Sequence, residues 1–398
     1  MKKILLATFL ASLTGMSLAL EGAPTDSAAQ SSVKMYGVLS EAFYKVDSGS
    51  SAIRNQSGTS SYAGNSSKLG VIGSEDLGGG TKAGFNLETQ INMNTGAVAS
   101  SATGAAQSTS GTSEVFNRAA NVSLSNSQWG ELKMGRQITP LYENISAFDA
   151  VGLNSMGMIN YFVSATTAYG VNTITGQNAG TNLGNATSSN TNPDIFTNAF
   201  QYRTPTYAGV SVRLFTSPGS GSTSTQNSGA LREGTINYEG QGQLTGLKLV
   251  AGYGTTDTST TGVTGQSRSL FGASYDWNKF KFSASRAYIQ YYTGAIPGTV
   301  LGDNTLLNQV GVKYRVTAPW WVGAEYTTAA DHNVRANKSS TVGLASGYEF
   351  SKRTSVYGFV GSTQNSGAAS VLPVYGTSAT GTSGVSSLAY VMGLRHAF

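Results

Sequence analysis

The sequence predicts an all-β fold, a 16-stranded antiparallel transmembrane β-barrel with short turns on one rim and long loops on the other. Three observations predict it. Apolar and polar residues alternate with a period of two in segment after segment, and the connections between segments are alternately short and long. Beyond the N-terminus, no run reaches the roughly 18 consecutive apolar residues that a spanning helix needs. Composition points the same way, since 50 Gly, 20 Tyr and 15 Phe with only 8 Pro and 11% charged residues suit strands and turns better than helices. A low mean hydropathy fits too, because lipid-facing and lumen-facing residues average out along a barrel strand.

In chain order, Met1-Lys2-Lys3, the mostly apolar run Ile4 to Leu20 and the small residues through Ala29 read as a secretory signal peptide over 1–29. Ser17-Leu18-Ala19, Glu21-Gly22-Ala23 and Ser27-Ala28-Ala29 each offer a cleavage site, which leaves the junction between 19 and 29. The remainder, 30–398, reads as one barrel domain, because a barrel cannot be divided without exposing unpaired strand edges in lipid.

Short turns fall at 77–80, 126–130, 204–207, 239–242, 276–279, 317–319 and 351–353. Long Ser/Thr/Gly/Asn-rich stretches fall near 47–66, 94–114, 140–194, 218–230, 257–267, 293–305, 330–339 and 362–385. This asymmetry is how bacterial barrels are built, with short periplasmic turns and longer extracellular loops. Over 82–91, Phe85, Leu87 and Ile91 alternate with Lys82, Asn86, Glu88 and Gln90; over 306–316, Val310, Val312, Tyr314 and Val316 alternate with Gln309, Gly311, Lys313 and Arg315. Tyr275, Tyr314, Tyr326 and Tyr348 sit near strand ends on the apolar phase, as an interfacial aromatic girdle requires. A soluble β-sandwich is the rival fold, but it rarely needs so many strands.

The chemistry available is sparse. With no Cys and two His there is no disulfide framework and no thiolate site, and no catalytic constellation or metal site is expected. His332 and His396 belong to no hydrolase motif, and Glu75-Asp76 fits the capping of a tight turn. A net charge of +5, unchanged by cleavage after Ala29, is too diffuse for a nucleic-acid partner.

Several runs carry a resemblance: Ser31-Ser32-Val33-Lys34-Met35-Tyr36-Gly37-Val38, Gly73-Ser74-Glu75-Asp76-Leu77-Gly78-Gly79-Gly80-Thr81-Lys82-Ala83, Phe116-Asn117-Arg118, Gly135-Arg136-Gln137-Ile138-Thr139-Pro140-Leu141-Tyr142, and the ending Gly393-Leu394-Arg395-His396-Ala397-Phe398. Together they resemble the general-diffusion porins of β-proteobacterial outer membranes, over essentially the whole mature chain. The resemblance implies a homotrimer in outer-membrane lipid and lipopolysaccharide, inserted by the barrel-assembly machinery and passing small hydrophilic solutes and ions with no cofactor. It also implies a third loop that folds inward to constrict the pore, with loop acids Glu143 and Asp149 facing wall arginines Arg118 and Arg136. Two departures stand out: Ile72 replaces a usual base, and strict alternation puts Arg136 in phase with Leu132 and Met134 on the lipid face, so that it reaches the pore only where the strand bends.

Alternation places Lys82, Lys248, Arg203, Arg213, Arg268, Lys313, Arg315 and Arg395 on the lumen face against Glu88 and Glu325, a balance that favours small anions. Tyr36, Phe215, Trp321 and Tyr357 are candidate inward aromatics, which a substrate-specific channel would also use. The third loop, taken as 140–194, carries Met156, Met158, Ile159, Tyr161 and Phe162, which would pack in the barrel mouth. Phe398, in phase with Tyr390, Met392 and Leu394, resembles the assembly signal of outer-membrane barrels.

Overall fold

The computed structural model describes residues 31–49, 55–64, 66–98, 115–153, 157–159, 161, 195–218, 230–257, 264–291, 304–332, 335–367, 369–374, 379 and 381–398. The leader, Met156, Phe162 and the remainder of the third loop up to Asp194 lie outside them. The strands are β1 (Ser32–Asp47), β2 (Gln56–Ser60), β3 (Lys68–Gly78), β4 (Thr81–Gln90), β5 (Ala119–Asn126), β6 (Gly130–Ile138), β7 (Ile195–Arg203), β8 (Val210–Ser217), β9 (Leu231–Glu239) and β10 (Leu247–Asp257). They continue as β11 (Thr264–Trp277), β12 (Phe280–Tyr291), β13 (Asn304–Arg315), β14 (Trp320–Asp331), β15 (Lys338–Glu349), β16 (Thr354–Ser366) and β17 (Ser387–Ala397). A helix, α1 (Pro140–Ala147), opens the third loop.

Every neighbouring pair is antiparallel, and β17 returns to β1 from Val38↔Ala397 to Asp47↔Leu388, so the sheet closes on itself. Seventeen strands make sixteen staves, because β2 and β3 share one place beside β1: β2 pairs with Ala42–Val46 and β3 with Ser32–Val38. The stretch expected as a loop over 47–66 therefore contains part of a stave. Residues 61–64 leave the wall after β2, and Gly64 comes against the ring of Tyr357 inside the barrel.

The two faces follow the alternation. Tyr275, Tyr326 and Tyr348 are exposed outside, whereas Phe215, Trp321 and Tyr357 are buried inside. At the first periplasmic turn the Asp76 carboxylate accepts the Gly78 N–H at 2.8 Å, the capping expected of that acid. At the closing seam Gly37 and Phe398 exchange backbone hydrogen bonds of 3.0 Å. The Phe398 ring covers Gly37, where a Cβ would fall 2.4 Å from Cζ, so the last residue packs against the first strand only because no side chain stands there.

The core lies in the lumen. Leu141, Ile145, Phe148, Met158, Ile159 and Tyr161 of the third loop are buried against Leu270, Ile289 and Leu307 of the wall, together with Ala369 and Val371 from the last loop. Val151, Leu153, Ala63 and Val374 join a second cluster on Tyr44, Trp321, Tyr357 and Phe359. Burying such side chains contributes about 1.5–3 kcal/mol each, which holds these segments inside the barrel.

Candidate functional site

Loop three begins where β6 departs from its pleat. Leu132 and Met134 are 39% and 41% exposed, but Arg136, in the same nominal phase, is only 6% exposed. Gly135 lies between them with φ +118°, and a Cβ there would meet the Ala120 carbonyl at 2.3 Å, so only glycine makes this turn. Beyond it the Arg136 Nε–H reaches the Asn117 carbonyl at 2.6 Å.

Pro140 occupies the first turn of α1, where its missing N–H costs nothing. The Leu141 N–H is taken by the Glu233 carboxylate of β9 at 3.1 Å, and that carboxylate also pairs with Arg268 of β11 at 3.4 Å. Both side chains are almost wholly buried, and losing one partner of such a pair costs about 3–5 kcal/mol. Arg268 thus faces inward as alternation predicts, but its charge is spent on anchoring the helix. Glu233 went unnoticed in the sequence, although its phase on β9 is inward.

A second device positions the loop. Inward-facing glycines stand on β10, β11, β13 and β14 wherever the loop lies closest: Gly252 meets Leu141, Gly272 meets Phe148, Gly311 meets Ala150 and Gly323 meets Val151, each at 2.5–3.0 Å from an ideal Cβ. A chain of small inward residues on consecutive strands is a signal that sequence reading can use, since lumen walls otherwise carry polar side chains. The Lys281 ammonium donates to the Ala147 and Asp149 carbonyls at 3.4 and 3.2 Å. Lys313 reaches the Val151 carbonyl at 3.5 Å while lying 4.1 Å over the Trp321 ring. Deeper in the loop, the Tyr161 hydroxyl bonds Thr341 at 2.6 Å and Ser339 at 3.0 Å, and burial pushes it up to about 12.

The four residues expected at a constriction do not form one cluster. Arg118 binds Glu88 at 2.6 Å and the Gln90 side chain at 2.9 Å. Glu88 also pairs with Lys68 at 3.5 Å and accepts the Tyr36 hydroxyl at 2.7 Å. Glu143 of α1 pairs instead with Arg213 of β8, which stands directly opposite Arg203 on β7. Asp149 meets no arginine among the described residues: its Oδ1 accepts the N–H groups of Val151 and Gly152 at 2.8 and 2.7 Å. Glu325 of β14 takes the Val151 N–H as well, at 3.2 Å. Expecting loop acids against Arg118 and Arg136 therefore needs correction, because Glu88 already compensates Arg118 and the loop acids settle on other partners.

Of the remaining lumen-phase residues, Arg315 pairs with Glu349 at 3.2 Å near the periplasmic end. Lys248 is exposed there, 4.0 Å from Glu239. Lys82 and Arg395 are half-buried on the inner phase of β4 and β17. Two inward bases missed in the sequence are Lys68 and Lys133. With loop three seated on β9–β15 and touching β8 through Glu143, the wall of β3–β8 carries Lys68, Lys82, Lys133, Arg203 and Arg213 against Glu88, Glu131 and, at the rim, Asp76. The site is a lane between a basic wall and a loop backed by apolar packing.

A family model described as Gram-negative porin matches residues 13–368. Outer membrane porin protein 32 of Delftia acidovorans is 26% identical over 388 residues, covering 96% of this chain and 99% of that protein. Among solved structures, an anion-selective porin from Comamonas acidovorans superposes with a TM-score of 0.73 at 23% identity, covering 93% of this chain and 100% of the other. OmpT, an outer membrane protein of Vibrio cholerae, superposes at 0.60 with 14% identity, covering 94% and 99%. At these identities the structural likeness concerns the barrel.

Proposed function

The chain belongs to the Gram-negative porin family, and from that premise we infer that its barrel is an outer-membrane channel through which small hydrophilic solutes and ions diffuse passively, with a mild preference for anions. The observation that carries the preference is the directly opposed pair Arg203 and Arg213 on β7 and β8, beside the start of the seated loop, with Lys133 on the neighbouring β6. Glu131, directly opposite Arg203 on β6, offsets part of that charge. Opposed like charges raise the local positive potential, and a narrow low-dielectric lane screens it less than bulk water does. Glu143 offsets part of it by pairing with Arg213.

The working unit is a homotrimer that turns over no substrate and needs no cofactor; selection rests on lane width and wall charge. A 1–29 leader that directs export, insertion by the barrel-assembly machinery, and a 30–398 barrel complete this reading. Planar-bilayer recording of purified protein should give conductance steps in groups of three. A substrate-specific channel is the second reading, favoured by Tyr36 at the Glu88 cluster. Concentration-dependent block of the current by a sugar or dicarboxylate would select it, whereas unblocked current selects general diffusion.

A further inference from the structure

Inward residues divide the barrel wall into two arcs. From β10 round to β1 the wall carries buried apolar side chains covered by loops, with Leu270, Ile289 and Leu307 under loop three and Trp321, Tyr357 and Tyr44 beside Leu153, Val374 and Ala63. From β3 to β8 the inner face is mostly polar and charged, as a water-filled lumen requires. A lane confined to that second arc has two edges. α1 forms one, where Glu143 meets Arg213 of β8. The other falls where the covered arc ends, at β1, and there the wall itself is interrupted: β2 leaves β1 at Ala42 and β3 joins it at Val38.

Three devices seat the chain at this break. The Ser60 Oγ accepts the Tyr62 and Ala63 N–H groups at 3.0 and 3.2 Å, which fixes a turn. Ser67 fills the gap in the ladder: its Oγ accepts the Ser40 N–H at 2.8 Å and donates to the Ser40 carbonyl at 2.7 Å. Both backbone groups of a buried residue with β2 above it and β3 below are thereby satisfied. From β16, the Tyr357 ring lies over Gly393 of β17, and its hydroxyl shares a hydrogen bond of 3.0 Å with that of Ser40. Gly64 rests on the same phenol, so closely that a Cβ there would collide with it. Lys68, the first base of the open wall, follows the break directly and pairs with Glu88 at 3.5 Å.

We propose that residues 61–64 are the second edge of the lane, and that Tyr357 is the positioning residue that sets how far this edge stands into the lumen. Tyr357 is almost wholly buried and acts through Gly64. Its fit inverts that of loop three, whose side chains enter spaces left by wall glycines, because here the glycine belongs to the inward segment and the wall supplies the ring. The proposal rests on the channel reading above and not on its anion preference, since the width of a lane is read with uncharged probes.

The test uses purified full-length protein in planar bilayers, reading single-channel conductance and the smallest polyethylene glycol that no longer enters and lowers it. Gly64→Val should push the segment off the ring into the lane, lowering conductance and shifting exclusion to smaller polymers, because a packed site resists added volume. Gly64→Val combined with Tyr357→Ala should recover most of the lost conductance, whereas Gly64→Val with Tyr357→Phe, which keeps the ring, should not. Tyr357→Ala alone removes the support and should admit larger polymers, which keeps the idea falsifiable if Gly64→Val does not fold. The heat-modifiable electrophoretic form of each variant reports a folded barrel. Wild-type conductance and exclusion in folded Gly64→Val or in folded Tyr357→Ala overturn the proposal, as does a loss in Gly64→Val that Tyr357→Ala does not relieve. A wild type without ion current would fail the channel reading instead.

Discussion

Glu143 and Arg213 meet where α1 comes nearest the wall, and Arg203 stands beside them. Replacing Glu143 by Gln uncovers both arginines, so anion preference should strengthen, read as a larger reversal potential in a salt gradient; an unchanged potential would place this pair off the ion path. Arg118 differs, because Glu88 and the Gln90 amide occupy it. Arg118→Gln leaves the Glu88 carboxylate with Lys68 and Tyr36, and should lower stability more than it changes selectivity. Residues were legible in the sequence where alternation alone sets direction, as at Arg213 and Lys313. They were not where partners come from distant strands: nothing local marks Glu233 as the anchor of α1, and Arg136 leaves its nominal phase through the backbone conformation of Gly135.

Loop three behaves as an element seated by shape. Phe148 fits because Gly272 has no side chain, and Ala150 fits because Gly311 has none. Val at either glycine puts a branched group about 3 Å from the loop, and overpacking of this kind typically costs 1–3 kcal/mol. Gly272→Val and Gly311→Val should displace the loop toward the basic wall or out of the lumen, changing single-channel conductance while the yield of folded barrel holds; wild-type conductance in both would show that the loop does not bound the lane. The C-terminal strand makes a complementary case. Deleting Phe398 uncovers Gly37 and removes two seam hydrogen bonds, so heat-modifiable oligomer in membranes should fall. Equal oligomer levels would refute the seam's importance. Strands were readable because lipid and water impose period two; the break between β2 and β3 was not, since this stretch reads as any other polar loop and only the barrel gives Ala63 and Gly64 an inward destination.

For the whole molecule, the seam between β1 and β17 and the alternation of turns and loops set one topology. A protease-cleavable tag after Gly96, beyond β4, should be reached from outside intact cells, and one at Gly79, in the β3–β4 turn, should not. The opposite result would invert the barrel. Within that orientation loop three occupies the β9–β15 side, and ions are left the basic wall of β3–β8. The most direct measurement of this arrangement is the reversal potential across a KCl gradient for wild type, for Arg203→Glu with Arg213→Glu, and for Lys248→Glu at the exposed mouth. Charges at a wide mouth are screened within about 8 Å at physiological salt. The account predicts an anion-side potential for wild type, a crossing to the cation side for the double variant, and little change for Lys248→Glu. A double variant that keeps the wild-type potential would contradict it.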